Sequence, residues 1–263
     1  MPLIDPVLLK TRLGTLAGRF DVDALEACDS TSSELLRRAD LGAPAGTVVV
    51  ADSQHAGRGR RGRQWSSSAG ASLTFSLLWR SAGSAAALGG LSLAVGTAVA
   101  QALESLGAEG VRLKWPNDVL LESGGEFAKL AGILIELAGD RRSTQVCIGI
   151  GLNLQQPVGE FPQPVAGLAQ AMPAPVERHA VLAAMLVALI RVLDRFAVDG
   201  FAGLKSEWEA RNAWQDRQVC LLADGEPTRY GICRGVDGDG ALLLETATGI
   251  ERVLAGDLSL RAA

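Results

Sequence analysis

The stretch QHAGRGRRGRQW, Gln54 to Trp65, decides between two folds. Gly57, Gly59 and Gly62 spell G-x-G-x-x-G directly after the strand-like TVVVA at 47–51, the signature of a dinucleotide-binding βαβ unit. That signature works only when a helix follows at once, so that its amino end meets the pyrophosphate, and when an acid lies about 20 residues on to hold the ribose. Here the chain continues SSSAGASLTFSLLW, with Ala71, Leu73, Phe75, Leu77 and Trp79 apolar and Ser72, Thr74 and Ser76 between them. Alternation of that kind is a strand pattern, and RSAGSAAALGG supplies no acid at the required offset. The doubly wound fold is rejected, and an α+β fold with a mixed, largely antiparallel sheet is expected.

Within the loop, Arg58, Arg60, Arg61 and Arg63 have no acidic neighbour in sequence, so their repulsion is not relieved locally. An anion is the expected partner. A nucleic-acid backbone is a poor one, because the whole chain carries 25 Lys+Arg against 29 Asp+Glu and a formal charge of -4. A small anionic ligand fits better, and DNA binding is not expected.

At 263 residues the chain can bury a full core, with one large domain and a small appendage. MPLIDPVLLKTRLG has an acid early and no long apolar run, so no secretion signal is read. The most apolar helical run, AVLAAMLVALIRVL from Ala180, is interrupted by Arg191 and too short to span a bilayer. No membrane association is expected, and the expected compartment is the cytoplasm. Cys28, Cys147, Cys220 and Cys233 form no C-x-x-C pair and are expected as reduced, mostly buried thiols. Two histidines, His55 and His179, rule out a multi-His metal site.

Along the chain, DSTSSELLRRAD reads as a helix start, with Thr31 and Glu34 fitting a capping box. Capping leaves the rest of the hydroxyl run Ser30 to Ser33 unexplained. From Leu88 to Leu106 apolar residues recur at steps of three and four, predicting an amphipathic helix that stops at Gly107. VRLKW places Val111, Leu113 and Trp115 on one strand face and Arg112 with Lys114 on the other, before a turn at Pro116, Asn117 and Asp118. VLLE, AGILIEL and TQVCIGIGLNL continue a hairpin-connected sheet, with ESGGEFAK a flexible link. In the last of these strands Gly149, Gly151 and Asn153 share a face of nearly bare backbone, a mark either of close approach by another backbone or a ligand, or of tight packing on a helix. After a Pro-rich loop at 157–175, helices are predicted from about Glu177 to Val198 and around GLKSEWEARN. QVCLLAD, TRYGICRGV, ALLLETA and IERVLAG, with a DGDG turn at 237–240, read as a small β-barrel. The expected division is 1–214 and 215–263.

The Arg/Gly loop, Lys114, Lys129 and the glycine face together supply fixed positive charge and no activated nucleophile. Such a set suits phosphate chemistry done by positioning and charge neutralisation.

GRGRRGRQW, KWPND, KLAGILIE, GIGLN and GICRGVDGDGALLLE, in this order and spacing from about residue 25 to the end, resemble the biotin protein ligases. The resemblance implies a catalytic domain like that of class II aminoacyl-tRNA synthetases with an SH3-like carboxy-terminal domain. It also implies activation of biotin by ATP and Mg²⁺ to biotinyl-5′-AMP, then transfer to one lysine of a biotin carboxyl carrier domain in a biotin-dependent carboxylase. By the same resemblance Ser30, Thr31, Ser32, Gln54, Gly59 and Gly132 would contact biotin, together with Arg58, Arg60 and Lys129. Arg61, Arg63, Trp65, Lys114, Asn117, Gly149, Gly151 and Asn153 would join Arg58 and Arg60 around the nucleotide. Arg58, Arg60, Lys114, Lys129 and Asp118 would serve catalysis. Asp118 is open between a Mg²⁺ role, orientation of the acceptor amine and plain turn capping.

Two departures from the family pattern stand out: Ser32 replaces the usual asparagine, and ESGGEFA lengthens the link before Lys129. About 25 residues precede the match, so the ligase-only class, without a DNA-binding amino-terminal domain, is expected. A homodimer through an exposed sheet edge is compatible with the pattern. A lipoate ligase, a non-catalytic biotin sensor and a nucleic-acid binder are the rival readings.

Overall fold

A computed structural model describes residues 1–139, 144–223, 227–256 and 258–262; of the expected strand QVCLLAD, Asp224 lies outside them. The chain opens with α1 (Pro6–Leu13), whose first turn is capped by the Asp5 carboxylate accepting from the Val7 and Leu8 amides. It continues through β1 (Asp21–Cys28), α2 (Thr31–Asp40), β2 (Thr47–Gln54), β3 (Ser72–Ser81) and α3 (Leu91–Ser105). Then come β4 (Val111–Lys114), β5 (Asp118–Ser123), β6 (Glu126–Gly139), β7 (Thr144–Asn153), α4 (Arg178–Asp199) and α5 (Lys205–Glu209). A second set of strands closes the chain: β8 (Gln218–Ala223), β9 (Arg229–Val236), β10 (Leu242–Thr246), β11 (Gly249–Val253) and β12 (Leu258–Ala262).

The first seven strands form one mixed sheet in the order β1-β2-β3-β7-β6-β5-β4. Only β1 and β2 run parallel; every other neighbouring pair is antiparallel. The strand after the Arg/Gly loop pairs along its length with β7, from Ser72 opposite Asn153 to Ser81 opposite Thr144. Alternation then sorts the two faces. Leu73, Phe75 and Leu77 of β3, Ile148, Ile150 and Leu152 of β7, and Val111 and Leu113 of β4 join the main core with α3 and α4. On the other face, Leu35 and Ala39 of α2 cover Val49, Leu78 and Cys147, and the sheet beyond that short helix is left for a pocket.

Three expectations change here. Helix α3 is not amphipathic: Leu93 through Ala100, then Ala102 and Leu103, are all buried, because α4 and the sheet enclose it. Burying side chains such as Leu93, Val95 and Val99 yields about 1.5–3 kcal/mol each. The run Ala85–Ser105 that contains α3 is long and apolar enough to cross a membrane, and most of its apolar stretch is buried in this core. The link ESGGEFAK is not a loop either. β5 and β6 meet in a two-residue turn at Gly124 (φ 60°) and Gly125 (φ 87°), whose left-handed backbones match a type I′ hairpin. Finally, Thr31 is the first residue of α2 and Ser30 its cap, without a side-chain capping bond, so no capping box forms. Glu34 instead pairs with Arg37 and Arg38.

The second sheet is five-stranded and antiparallel, in the order β11-β10-β9-β8-β12. It docks on the first through Trp115, whose indole N–H donates to the Gly240 carbonyl of the DGDG turn at 3.1 Å. Gly240 (φ 79°) packs so closely on Gly90 that a Cβ there would lie 2.5 Å from the Gly90 Cα.

Candidate active site

One pocket, open on the face not covered by α3 and α4, is lined by every residue expected to contact a ligand. Among the described residues, seven that line it are basic (Arg58, Arg60, Arg61, Arg63, Lys114, Lys129 and Arg261) and Asp118 is the one carboxylate.

Strand geometry builds its charged centre. Lys114 ends β4 and Asp118 begins β5, and the tight turn through Pro116 sets them opposite each other in the ladder. Lys129 reaches the same spot because β6 is irregular: Leu120 pairs with Lys129, but Val119 pairs with Ala131, so Leu130 is an extra residue. A bulge of this kind re-aims a side chain, and here Lys129 shares the face of Gly132 while Leu130 and Ala131 both enter the core. The Asp118 carboxylate therefore accepts from both ammoniums, Lys114 Nζ at 2.9 Å and Lys129 Nζ at 2.6 Å. Burial pushes the Asp118 carboxyl up, but Lys129 and Lys114 outweigh it and hold the group at about 2. The buried Lys114 ammonium is pulled below its ordinary value by desolvation, more than Asp118 lifts it, and Arg261 and Lys129 lower it further. Asp118 is thus an ion-pair partner of both lysines, a contact that was not among the roles expected of it.

The Arg/Gly loop closes as a small hairpin: Gly59 N–H donates to Arg63 O at 2.8 Å and Trp65 N–H to Gly57 O at 2.9 Å. At Gly57 a Cβ would lie 2.3 Å from the Trp65 carbonyl oxygen, so only glycine fits that closure. Its arginines are not left to a ligand alone, which corrects the expectation drawn from local sequence. Arg58 pairs with Glu136 of β6 and donates to Ser33 Oγ at 3.1 Å. Arg60 donates to Asn117 Oδ1 at 3.0 Å and to the carbonyl of Gly256, between β11 and β12, at 2.5 Å. Arg61 and Arg63 line the same rim.

The surplus of hydroxyls at Ser30 to Ser33 is used inside the fold. Thr31 donates from its N–H and its Oγ1 to Gln54 Oε1, at 2.8 and 3.2 Å. Ser76 of β3, fully buried, donates to Thr31 Oγ1 at 2.9 Å and lies 3.0 Å from Ser32 Oγ. Ser32, the departure noted in the sequence, thus reaches Ser76 and stands over Gly149, where a Cβ would meet its Oγ at 2.5 Å.

Side chains, rather than a neighbouring backbone, also approach the rest of the glycine face. A Cβ on Gly151 would lie 2.2 Å from the Trp65 indole, and one on Gly132 would lie 3.2 Å from Lys129 Nζ. The Trp65 indole N–H is buried without a hydrogen-bond partner among the described residues. Asn153 is turned inward, its amide donating to Ala166 O at 3.1 Å and Lys129 O at 3.4 Å, so its N–H₂ group serves backbone in this conformation. Asn117 spans the site in the same way, donating to Ile133 O at 2.9 Å.

Sequence reasoning missed Ser76, Glu136, Gln163 and Arg261. Gln163 lies in the Pro-rich loop and Arg261 on β12, and Gln163 Oε1 accepts from both Lys114 and Arg261. Ser76 had a signal in its polar place within an apolar strand, but the others look like ordinary surface residues until the sheets are assembled. Neither histidine lines the pocket, and the Cys147 thiol behind α2 is pushed up by burial to about 12. The four cysteines are free, and Cys147 and Cys233 are the buried ones. No cluster of three or more His, Cys, Asp or Glu suited to a metal occurs among the described residues.

Residues 26–153 match the model of the biotin/lipoate A/B protein ligase family, and residues 216–261 match that of the biotin protein ligase C-terminal domain. The bifunctional ligase/repressor BirA of Escherichia coli is 40% identical, over 99% of this chain and 81% of that protein. The biotin--[acetyl-CoA-carboxylase] ligase of Mycobacterium tuberculosis is 33% identical, over 98% of this chain and 95% of that protein. Among solved structures, the biotin protein ligase from Aquifex aeolicus in complex with biotin and ATP superposes with a TM-score of 0.78 at 31% identity, covering 92% of this chain and 99% of that one.

Proposed function

We propose, from the premise that this chain belongs to the biotin protein ligase family and is an ATP-dependent ligase, a division of labour within its pocket and a carrier-domain lysine as acceptor. The observation that carries the division is the row Lys129, Asp118, Lys114, in which one carboxylate holds two ammoniums at fixed spacing on rigid strands.

In the first step the biotin carboxylate attacks the α-phosphate of ATP; a carboxyl–phosphate bond forms, the α–β bridge breaks, and pyrophosphate leaves. Two anions must approach, so positive charge held in place before they meet lowers the barrier. Lys129 serves the reacting carboxylate and phosphoryl oxygen, Lys114 the polyphosphate, and Arg58, Arg60, Arg61 and Arg63 the anionic rim. Ser30, Thr31, Ser32 and Gln54 present donors and acceptors to the ureido ring, with Gly59 and Gly132 allowing close approach. Trp65 with the Gly149 and Gly151 backbone forms the adenine side, and Asn117 and Asn153 hold its walls. In the second step a lysine amine attacks the acyl carbon, AMP leaves, and an amide remains. We assign that lysine to the carrier domain of an acetyl-CoA carboxylase.

Mg²⁺ fits this site as a passenger on the nucleotide phosphates, with Asp118 the carboxylate at hand, since the described lining residues offer no cage of acidic ligands. Bound there it would neutralise phosphate charge. Four free thiols support a reducing compartment, the cytoplasm.

The test is mass spectrometry of the protein incubated with MgATP and either biotin or lipoate, with pyrophosphate followed in parallel. Biotinyl-adenylate from biotin alone supports the assignment. Biotin binding without adenylate or pyrophosphate overturns the division of labour.

A further inference from the structure

The charged row does not end at Lys114. Lys114 Nζ also donates to Gln163 Oε1 at 3.3 Å, and the same oxygen accepts from the Arg261 guanidinium of the second sheet. Lys129, Asp118, Lys114, Gln163 and Arg261 thus form one chain of contacts holding three cations, one carboxylate and one neutral amide. The excess positive charge sits at the Gln163 end, where Arg261 already acts on Lys114 and lowers its proton affinity. A carbonyl oxygen between two cations is a weak substitute for an anionic oxygen, because charge-assisted hydrogen bonds are roughly twice as strong as neutral ones.

The backbone around Gln163 is tied to β6 independently of its side chain. Pro162 and Pro164 bracket it, Lys129 N–H donates to Pro164 O at 2.8 Å, and Ala166 N–H donates to Lys129 O at 2.9 Å. These bonds stitch the loop to β6 at Lys129. The Gln163 side chain, half-buried and bound among the described residues only through its oxygen to the two cations, can rotate away without breaking those backbone bonds.

We infer that Gln163 is a positioning residue that tunes polyphosphate affinity: its amide oxygen holds Lys114 and Arg261 together and yields that place to a phosphoryl oxygen of ATP or pyrophosphate. The inference rests on the nucleotide assignment made above and adds a competitor built into the site. An internal competitor of this kind weakens substrate binding and, by the same measure, eases departure of the pyrophosphate product.

The test compares wild type, Gln163→Glu and Gln163→Ala by calorimetric titration with inorganic pyrophosphate and by the KM for ATP in the pyrophosphate-release assay. Biotin affinity without nucleotide is measured alongside. A carboxylate at 163 binds both cations with full charge, so Gln163→Glu should weaken pyrophosphate about tenfold and raise the KM for ATP to match. Removal of the competitor in Gln163→Ala should tighten pyrophosphate by about two- to threefold, with biotin affinity unmoved in both. Opposite signs are what a merely structural loop tether would not produce. Equal weakening in both variants, or identical affinities in all three proteins, overturns the inference alone. Failure of the wild type to bind pyrophosphate or ATP overturns the nucleotide assignment with it.

Discussion

Lys129 Nζ lies 2.6 Å from the Asp118 carboxylate, a contact made because β6 carries one extra residue at Leu130. Without that bulge Lys129 would point with Ala131 and Ile133 into the core. The reacting charge is therefore a product of an irregular ladder, and the carboxylate beside it sets the position of two lysines at once.

Asp118→Asn should leave two ammoniums facing each other with no anion between them. Removing one partner of a buried pair costs about 3–5 kcal/mol, and partial exposure of Lys129 reduces this to about 1–3 kcal/mol. Urea unfolding at neutral pH measures it. The Asp118 carboxyl is held below its ordinary 3.8, at about 2, so its stabilisation is complete above 3.8 and lost as pH falls toward 2. The stability gap between wild type and variant should accordingly be constant at neutral pH and close in that acid window.

Lys129→Ala should lower adenylate formation by about 10²–10³-fold, the usual loss on removing one preorganised donor from a developing anion. Asp118 keeps Lys114 as a partner after this change, so the variant should stay folded, with a thermal midpoint lowered by only a few degrees. Wild-type pyrophosphate release by a folded variant would refute the role.

Arg60→Gly should let adenylate escape before transfer. Arg60 ties the 57–63 loop to Asn117 and to Gly256, between β11 and β12, so its removal loosens the cover over the pocket. Labelling of bystander lysines in a mixed-protein assay should rise, and unchanged retention of adenylate in a dissociation assay would sink the idea.

Gly151→Ala should displace the Trp65 indole, since the new methyl would begin 2.2 Å from it. Overlap that close forces movement, and overpacking of this kind costs about 1–3 kcal/mol. ATP affinity should fall while biotin binding persists, and the tryptophan emission should change in a way that Trp65→Phe abolishes.

The strand after the Arg/Gly loop, the faces of β4 and β7 and the placing of α4 were legible because each depends on local alternation or helical spacing. Local rules failed where neighbours came from afar. The even spread of apolar residues in α3 read as amphipathic because nothing in its spacing announces that α4 and the sheet cover both sides. Glu136, far from the loop in sequence, pairs with Arg58, and no rule of nearby charge finds it.

By itself, then, the sequence determined which residue types the pocket holds: glycines where a Cβ would clash, basic side chains in excess, and strands whose polar faces turn one way. Tertiary structure decided their pairing. The Lys129 bulge, the inward turn of Asn153, the Ser76 hydroxyl under Thr31 and the reach of Arg261 to Gln163 all depend on distances between segments far apart in the chain. Side-chain periodicity reports which face a residue takes, whereas electrostatic and hydrogen-bonding partners are set by short-range contact in space, which the order of residues along the chain does not contain.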